Sequence, residues 1–166
     1  LREKTIFTID GDDTKDIDDA ISIKKLSPDV YELGVHIADV SHYVEKDRVI
    51  DRDAYERGTS VYLVDRVIPM LPHKLSNGIC SLNPNVDRLA MSCIMTINSH
   101  GEVTHYDIKP SIIRSRIQMT YNKVNDILDK NIVADGYKDF VEDLNLMKEL
   151  SDILRQKMIK RGYIEF

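Results

Sequence analysis

Six aspartates, Asp10, Asp12, Asp13, Asp16, Asp18 and Asp19, fall within the string TIDGDDTKDIDD at positions 8–19. Carboxylates this close repel one another, which raises some of their pKa values unless a cation sits among them. A generic acidic run is a solvated loop. Here the flanking sequence is apolar and strand-like, which fixes the backbone. Asp16, Asp18 and Asp19 can project to both sides of an extended segment, and Asp10 closes the β-rich run Thr5 to Ile9. Ligation by carboxylates alone, with no His or Cys nearby, suits a hard ion, Mg2+ or Mn2+, better than zinc. Carboxylates that satisfy such an ion incompletely leave room for water and a phosphate oxygen, as metal-assisted phosphodiester hydrolysis requires. A calcium loop of the EF-hand type fails on spacing: counted from Asp10, Lys15 stands where glycine belongs and Ile21 where glutamate belongs.

Those carboxylates need a frame, and 166 residues with 42% hydrophobic and 31% charged side chains are enough for one domain with its own core. No apolar run approaches the ~18 residues of a bilayer-spanning helix. The net charge of −5 does not resemble the basic face of a nucleic-acid binder. Seven acids lie within residues 10–29, however, and a cluster loaded with cations is neutral or positive. Cys80 and Cys93 form no CxxC pattern and read as reduced thiols, which points to the cytoplasm. The opening Leu1 to Lys4 and the closing Ile164-Glu165-Phe166 read as the ends of a piece cut from a longer chain.

Hydropathy places the elements. Asp19 to Leu26 and Val30 to Ala38 predict two antiparallel strands joined at Ser27-Pro28-Asp29, with the acidic loop at one end of the sheet. Asp51 to Arg57 predicts a short helix closed by Gly58. Thr59 to Val64 predicts a strand, and Ile68 to Pro72, broken by two prolines, an extended loop. A short helix opens over Pro72 to Asn77. Leu89 to Asn98 and Val103 to Thr120 predict a long hairpin about Ser99-His100-Gly101. Helical spacing comes next, over Thr120 to Leu128 and Tyr137 to Arg161, where Phe140, Leu144, Met147, Leu150, Leu154 and Met158 form one apolar stripe. The sum is one α+β domain, a mixed or antiparallel sheet with C-terminal helices.

The text beyond the acidic string carries a resemblance. TIDGDDTKDIDDAI, VHIADVSHYV at 35–44, DRDAYERGTSVYL at 51–63, VIPMLPHKLSNGICSLNPNVDRLAMSC at 67–93 and TYNKV at 120–124 together resemble the ribonuclease II/ribonuclease R (RNB) family, nearer its ribonuclease R branch. The resemblance implies processive, Mg2+-dependent hydrolysis of single-stranded RNA from its 3′ end, releasing nucleoside 5′-monophosphates, with Mn2+ as a substitute ion and no organic cofactor. By motif position the metal ligands are Asp10, Asp16, Asp18 and Asp19. Asp18, with Asp19 beside it, is the acid nearest the chemical step, and Asp12 and Asp13 are loop residues. Tyr62 corresponds to a tyrosine that stacks on the 3′-terminal nucleotide, and Tyr121 to a second base-contacting aromatic. Without the family, Tyr62 reads as a half-buried strand tyrosine. His36 and His42, ~20 Å apart if extended, read as structural or RNA-lining, not as a metal pair. Asn83 and Arg88 either touch phosphates or bridge the fold.

The resemblance also implies that residues 1–166 are the N-terminal portion of an RNB catalytic domain. The rest of that domain, with an arginine and a glutamate that position the nucleotide, is absent, as are the cold-shock and S1 domains. The uncovered sheet edges predict self-association of the fragment. The competing reading is a non-catalytic RNA-binding relative, which would be expected to have lost acids from the cluster.

Overall fold

Residues 1–164 are described by a computed structural model; Glu165 and Phe166 of the closing run lie outside them. Apolar and β-branched runs draw six segments between residues 7 and 120 into a sheet. The strands β1 (Phe7–Asp10), β2 (Asp19–Ser27), β3 (Val30–Ala38), β6 (Asp87–Asn98), β7 (Val103–Arg114) and β8 (Ile117–Thr120) lie in the order β7-β6-β3-β2-β1-β8. Every neighbouring pair is antiparallel except β1 and β8, which run parallel and make the sheet mixed. The turn at Pro28-Asp29 sets the β2–β3 register, with Ser27 facing Val30 and Asp19 facing Ile37.

The sheet is covered on both faces. The helices α2 (Tyr121–Lys130) and α3 (Val141–Lys160) pack on one face, burying Phe7, Met119, Ile127 and Leu144 near β1 and Ile23, Tyr31, Ile97 and Leu150 beyond it. The stripe predicted on α3 supplies Leu144 and Leu150, its two buried residues. Loops cover the other face, where Ile6, Ile17, Ala20, Leu82, Ala90 and Ile113 form a second core. Among the described residues no helix is long and apolar enough to cross a membrane.

A buried polar line crosses four strands on this loop-covered side. Ser22 Oγ lies 3.1 Å from His36 Nε2, His36 Nδ1 lies 2.7 Å from Ser92 Oγ, and Ser92 Oγ lies 2.6 Å from Ser111 Oγ. Gly34 makes room for it, since a Cβ there would stand 2.3 Å from Ser22 Oγ. His36 is therefore structural, with both ring nitrogens occupied.

The middle segment differs from expectation. The helix α1 (Val49–Arg57) ends at Gly58, whose φ of 72° suits glycine. The predicted strand over Thr59 to Val64 shrinks to β4 (Val61–Tyr62). It pairs with β5 (Val67–Ile68), whose second residue, Ile68, falls in the stretch predicted as loop. All four residues are exposed, so β propensity found no apolar layer to extend the ribbon against. The short helix expected from Pro72 is a π-helical segment, Lys74–Ile79.

Candidate metal centre

Asp10 stands at the end of β1 beside Thr120, its neighbour at the end of β8. Phe7 and Ile9 pack towards the helices, so alternation turns Thr8 and Asp10 to the loop-covered face. The chain then turns at Gly11, whose carbonyl accepts from Thr14 N–H at 3.2 Å. Long-range contacts fix the rest of the acidic loop. Gln118 Nε2 donates to the Thr14 carbonyl at 3.0 Å, and Asn122 Nδ2 donates to Asp12 Oδ2 at 2.9 Å. Ile17, between Asp16 and Asp18, is fully buried in the second core. Its N–H donates to Ser81 Oγ at 3.1 Å and its carbonyl accepts from Leu82 N–H at 2.9 Å. The Asp18 carbonyl accepts from Ala38 N–H at 2.9 Å, and Asp19 opens β2. An apolar anchor thus sits inside an acidic string, and Asp16 and Asp18 flank it.

The electrostatics record the crowding. Burial raises the Asp10 pKa, and the charges of Asp19, Asp18 and Asp16 raise it further. Thr8 beside it opposes the rise, yet Asp10 Oδ2, Thr8 Oγ1 and Thr120 Oγ1 are all buried without a hydrogen-bond partner. Burial is also the first cause for Asp18, followed by Asp16 and Asp19. Among the described residues no three His, Cys, Asp or Glu side chains converge into a ready cage. The donors are nonetheless all carboxylate oxygens, mutually repelling, with one buried oxygen unpaired. That set fits a hard divalent cation.

A cleft of about 740 Å³ opens beside the loop, and Lys15, Asp16, Tyr62, Arg66 and His73 are among the residues lining it. Tyr62 is 68% exposed, so it is not a half-buried strand tyrosine. Tyr121 is exposed at the first position of α2, directly after Thr120, and does not line this cleft. His42 is exposed and stacks edge-on against Tyr43. Asn83 and Arg88 take the fold-bridging alternative. Arg88 donates to the carbonyls of Ser81 at 2.7 Å and Gly78 at 3.2 Å, and Asn83 donates to that of Asn77 at 3.4 Å. Sequence reading missed Ser81, Gln118 and Asn122, which reach the acidic loop across 64, 104 and 110 residues.

The chain belongs to the RNB domain family, whose model matches residues 1–166. It is 51% identical to ribonuclease R 1 of Lactococcus lactis and 52% identical to ribonuclease R of Thermotoga maritima, each over 99% of this chain. It spans only 20% and 23% of the length of these two curated relatives. Its fold matches Mycoplasma genitalium RNase R, solved with double-stranded RNA and with ribose-methylated single-stranded RNA, at a TM-score of 0.93 and 34% identity in both. Each match covers 99% of this chain, and 29% and 26% of those chains.

Proposed function

We propose that the full-length protein carrying this chain is a 3′→5′ exoribonuclease. It hydrolyses single-stranded RNA processively with Mg2+, or Mn2+ in its place, and releases nucleoside 5′-monophosphates. The observation that carries the reading is a loop anchored at the buried Ile17 whose carboxylates stand close enough for the charges of Asp16, Asp18 and Asp19 to raise the Asp10 pKa, with Asp16 sharing a cleft with Tyr62. The names of the relatives, and the RNA bound in the matching structures, support RNA as the substrate.

In this reading the four aspartates hold the metal. Bound there, the ion supplies charge neutralisation at the scissile phosphate and an acidified water. Asp18, exposed like Asp19 beside it, accepts a hydrogen bond from the attacking water and orients it. Tyr62 stacks on the terminal base, worth ~1–3 kcal/mol and indifferent to sequence, as an enzyme that degrades any RNA needs. Tyr121, near the same strand ends, contacts a second base. The free cysteines Cys80 and Cys93 suit a reducing compartment, and we place the protein in the cytoplasm. Residues 1–166 are the N-terminal portion of the catalytic domain and alone bind the ion weakly with little or no nuclease activity.

A 5′-labelled RNA incubated with the full-length protein and Mg2+ tests this. Shortening one nucleotide at a time from the 3′ end is the expected result. Internal cuts would indicate an endonuclease, and an unchanged ladder a non-catalytic RNA-binding relative; either overturns the proposal. Efficient processive degradation by the isolated chain would overturn its last part.

A further inference from the structure

We infer that Ser81 is a positioning residue for the carboxylate site: its single hydroxyl grips the backbone on both sides of Asp16 and so sets where Asp16 and Asp18 stand. The inference rests on reading these aspartates as metal ligands. Ser81 is fully buried. Its Oγ donates to the Lys15 carbonyl at 2.8 Å and accepts from the Ile17 N–H at 3.1 Å. A hydroxyl has one proton and two lone pairs, so both bonds form together. Between those two anchored groups lies one residue, Asp16. The next position extends the grip, because Leu82 N–H donates to the Ile17 carbonyl and both side chains lie in one core.

The grip is itself held from behind. Arg88 Nε donates to the Ser81 carbonyl and Arg88 Nη2 to the Gly78 carbonyl, tying the 78–81 segment to β6. A chain of contacts thus runs from a sheet strand through Arg88 and Ser81 to the acidic loop. The backbone on both sides of Asp16 is thereby fixed before any ion arrives. Groups that orient metal ligands from behind typically cost 10–100-fold in affinity when removed.

A purely structural serine would lower stability alone, so the test reads metal affinity and stability separately. In the full-length protein, Mn2+ is titrated and free Mn2+ is followed by electron paramagnetic resonance, with thermal melting in parallel. Ser81→Ala, and the nearly isosteric Ser81→Cys, which packs the site but bonds weakly, are expected to raise the Mn2+ Kd about tenfold. Ile97→Val, in the core beneath α3, is expected to lower the melting temperature and leave the Mn2+ Kd unchanged. If either serine variant melts lower yet binds Mn2+ like the parent, the positioning role is overturned. If the parent itself takes up no Mn2+, or Asp16→Asn leaves uptake intact, the metal reading falls and the inference with it.

Discussion

Asp18 and Tyr62 differ in what their removal should expose. Asp18→Asn in the full-length protein keeps the side-chain volume and loses the charge, so RNA should still bind while hydrolysis falls at least about a hundredfold; gel-shift and ladder assays on one preparation check both. Tyr62→Ala should weaken 3′-end binding by the ~1–3 kcal/mol of a stacking contact, and Tyr62→Phe should not. His36 governs a third behaviour. Burial, with the charge of Lys4 adding, lowers its pKa from 6.5 to about 4. Between those values the unfolded chain holds the proton and the native chain does not, so stability is intact above pH 6.5 and declines as the pH falls towards 4. The loss should approach roughly 3 kcal/mol, at ~1.4 kcal/mol per pKa unit, and urea titrations at neutral and acidic pH measure it. At this scale the acids were legible because they are contiguous. Ser81, Gln118 and Asn122 were not, because a hydrogen bond arriving from 64 or more residues away leaves no local pattern.

At the level of elements, alternation and turn chemistry were enough for β3, whose observed bounds, Val30–Ala38, coincide with the predicted ones. The apolar stripe was enough for α3, and it makes a quantitative claim. Leu150 is 1% exposed and packs among Ile23, Tyr31 and Ile97. Leu150→Ala should therefore cost about 2–5 kcal/mol in denaturant unfolding. Two features escaped the sequence for opposite reasons. The parallel pairing of the four-residue β8 with β1 is set by tertiary position, and a short run carries no mark of its partner. Thr59 to Val64 has strong β propensity, but the segment stands away from the sheet and pairs through only two residues. That exposure is what leaves Tyr62 free to face the cleft.

Across the whole molecule, the fold class followed from summed local signals, and the surface shows two apolar features that those signals did not mark. β7 is an edge strand of 12 residues with Val103, Tyr106, Ile108 and Ile112 exposed. An apolar groove of about 500 Å³ lies between α3 and the strands β2 and β3, lined by Ile21, Leu33, Val35 and Met158. Long exposed edges template pairing between copies, so the isolated chain should associate as its concentration rises in sedimentation velocity runs. The central claim, that four named aspartates hold the ion, is reached most directly by anomalous scattering from Mn2+ in crystals of the full-length protein. The account predicts a peak ligated by Asp10, Asp16, Asp18 and Asp19. A peak held by Asp12 and Asp13, or no peak at the end of β1, would contradict it.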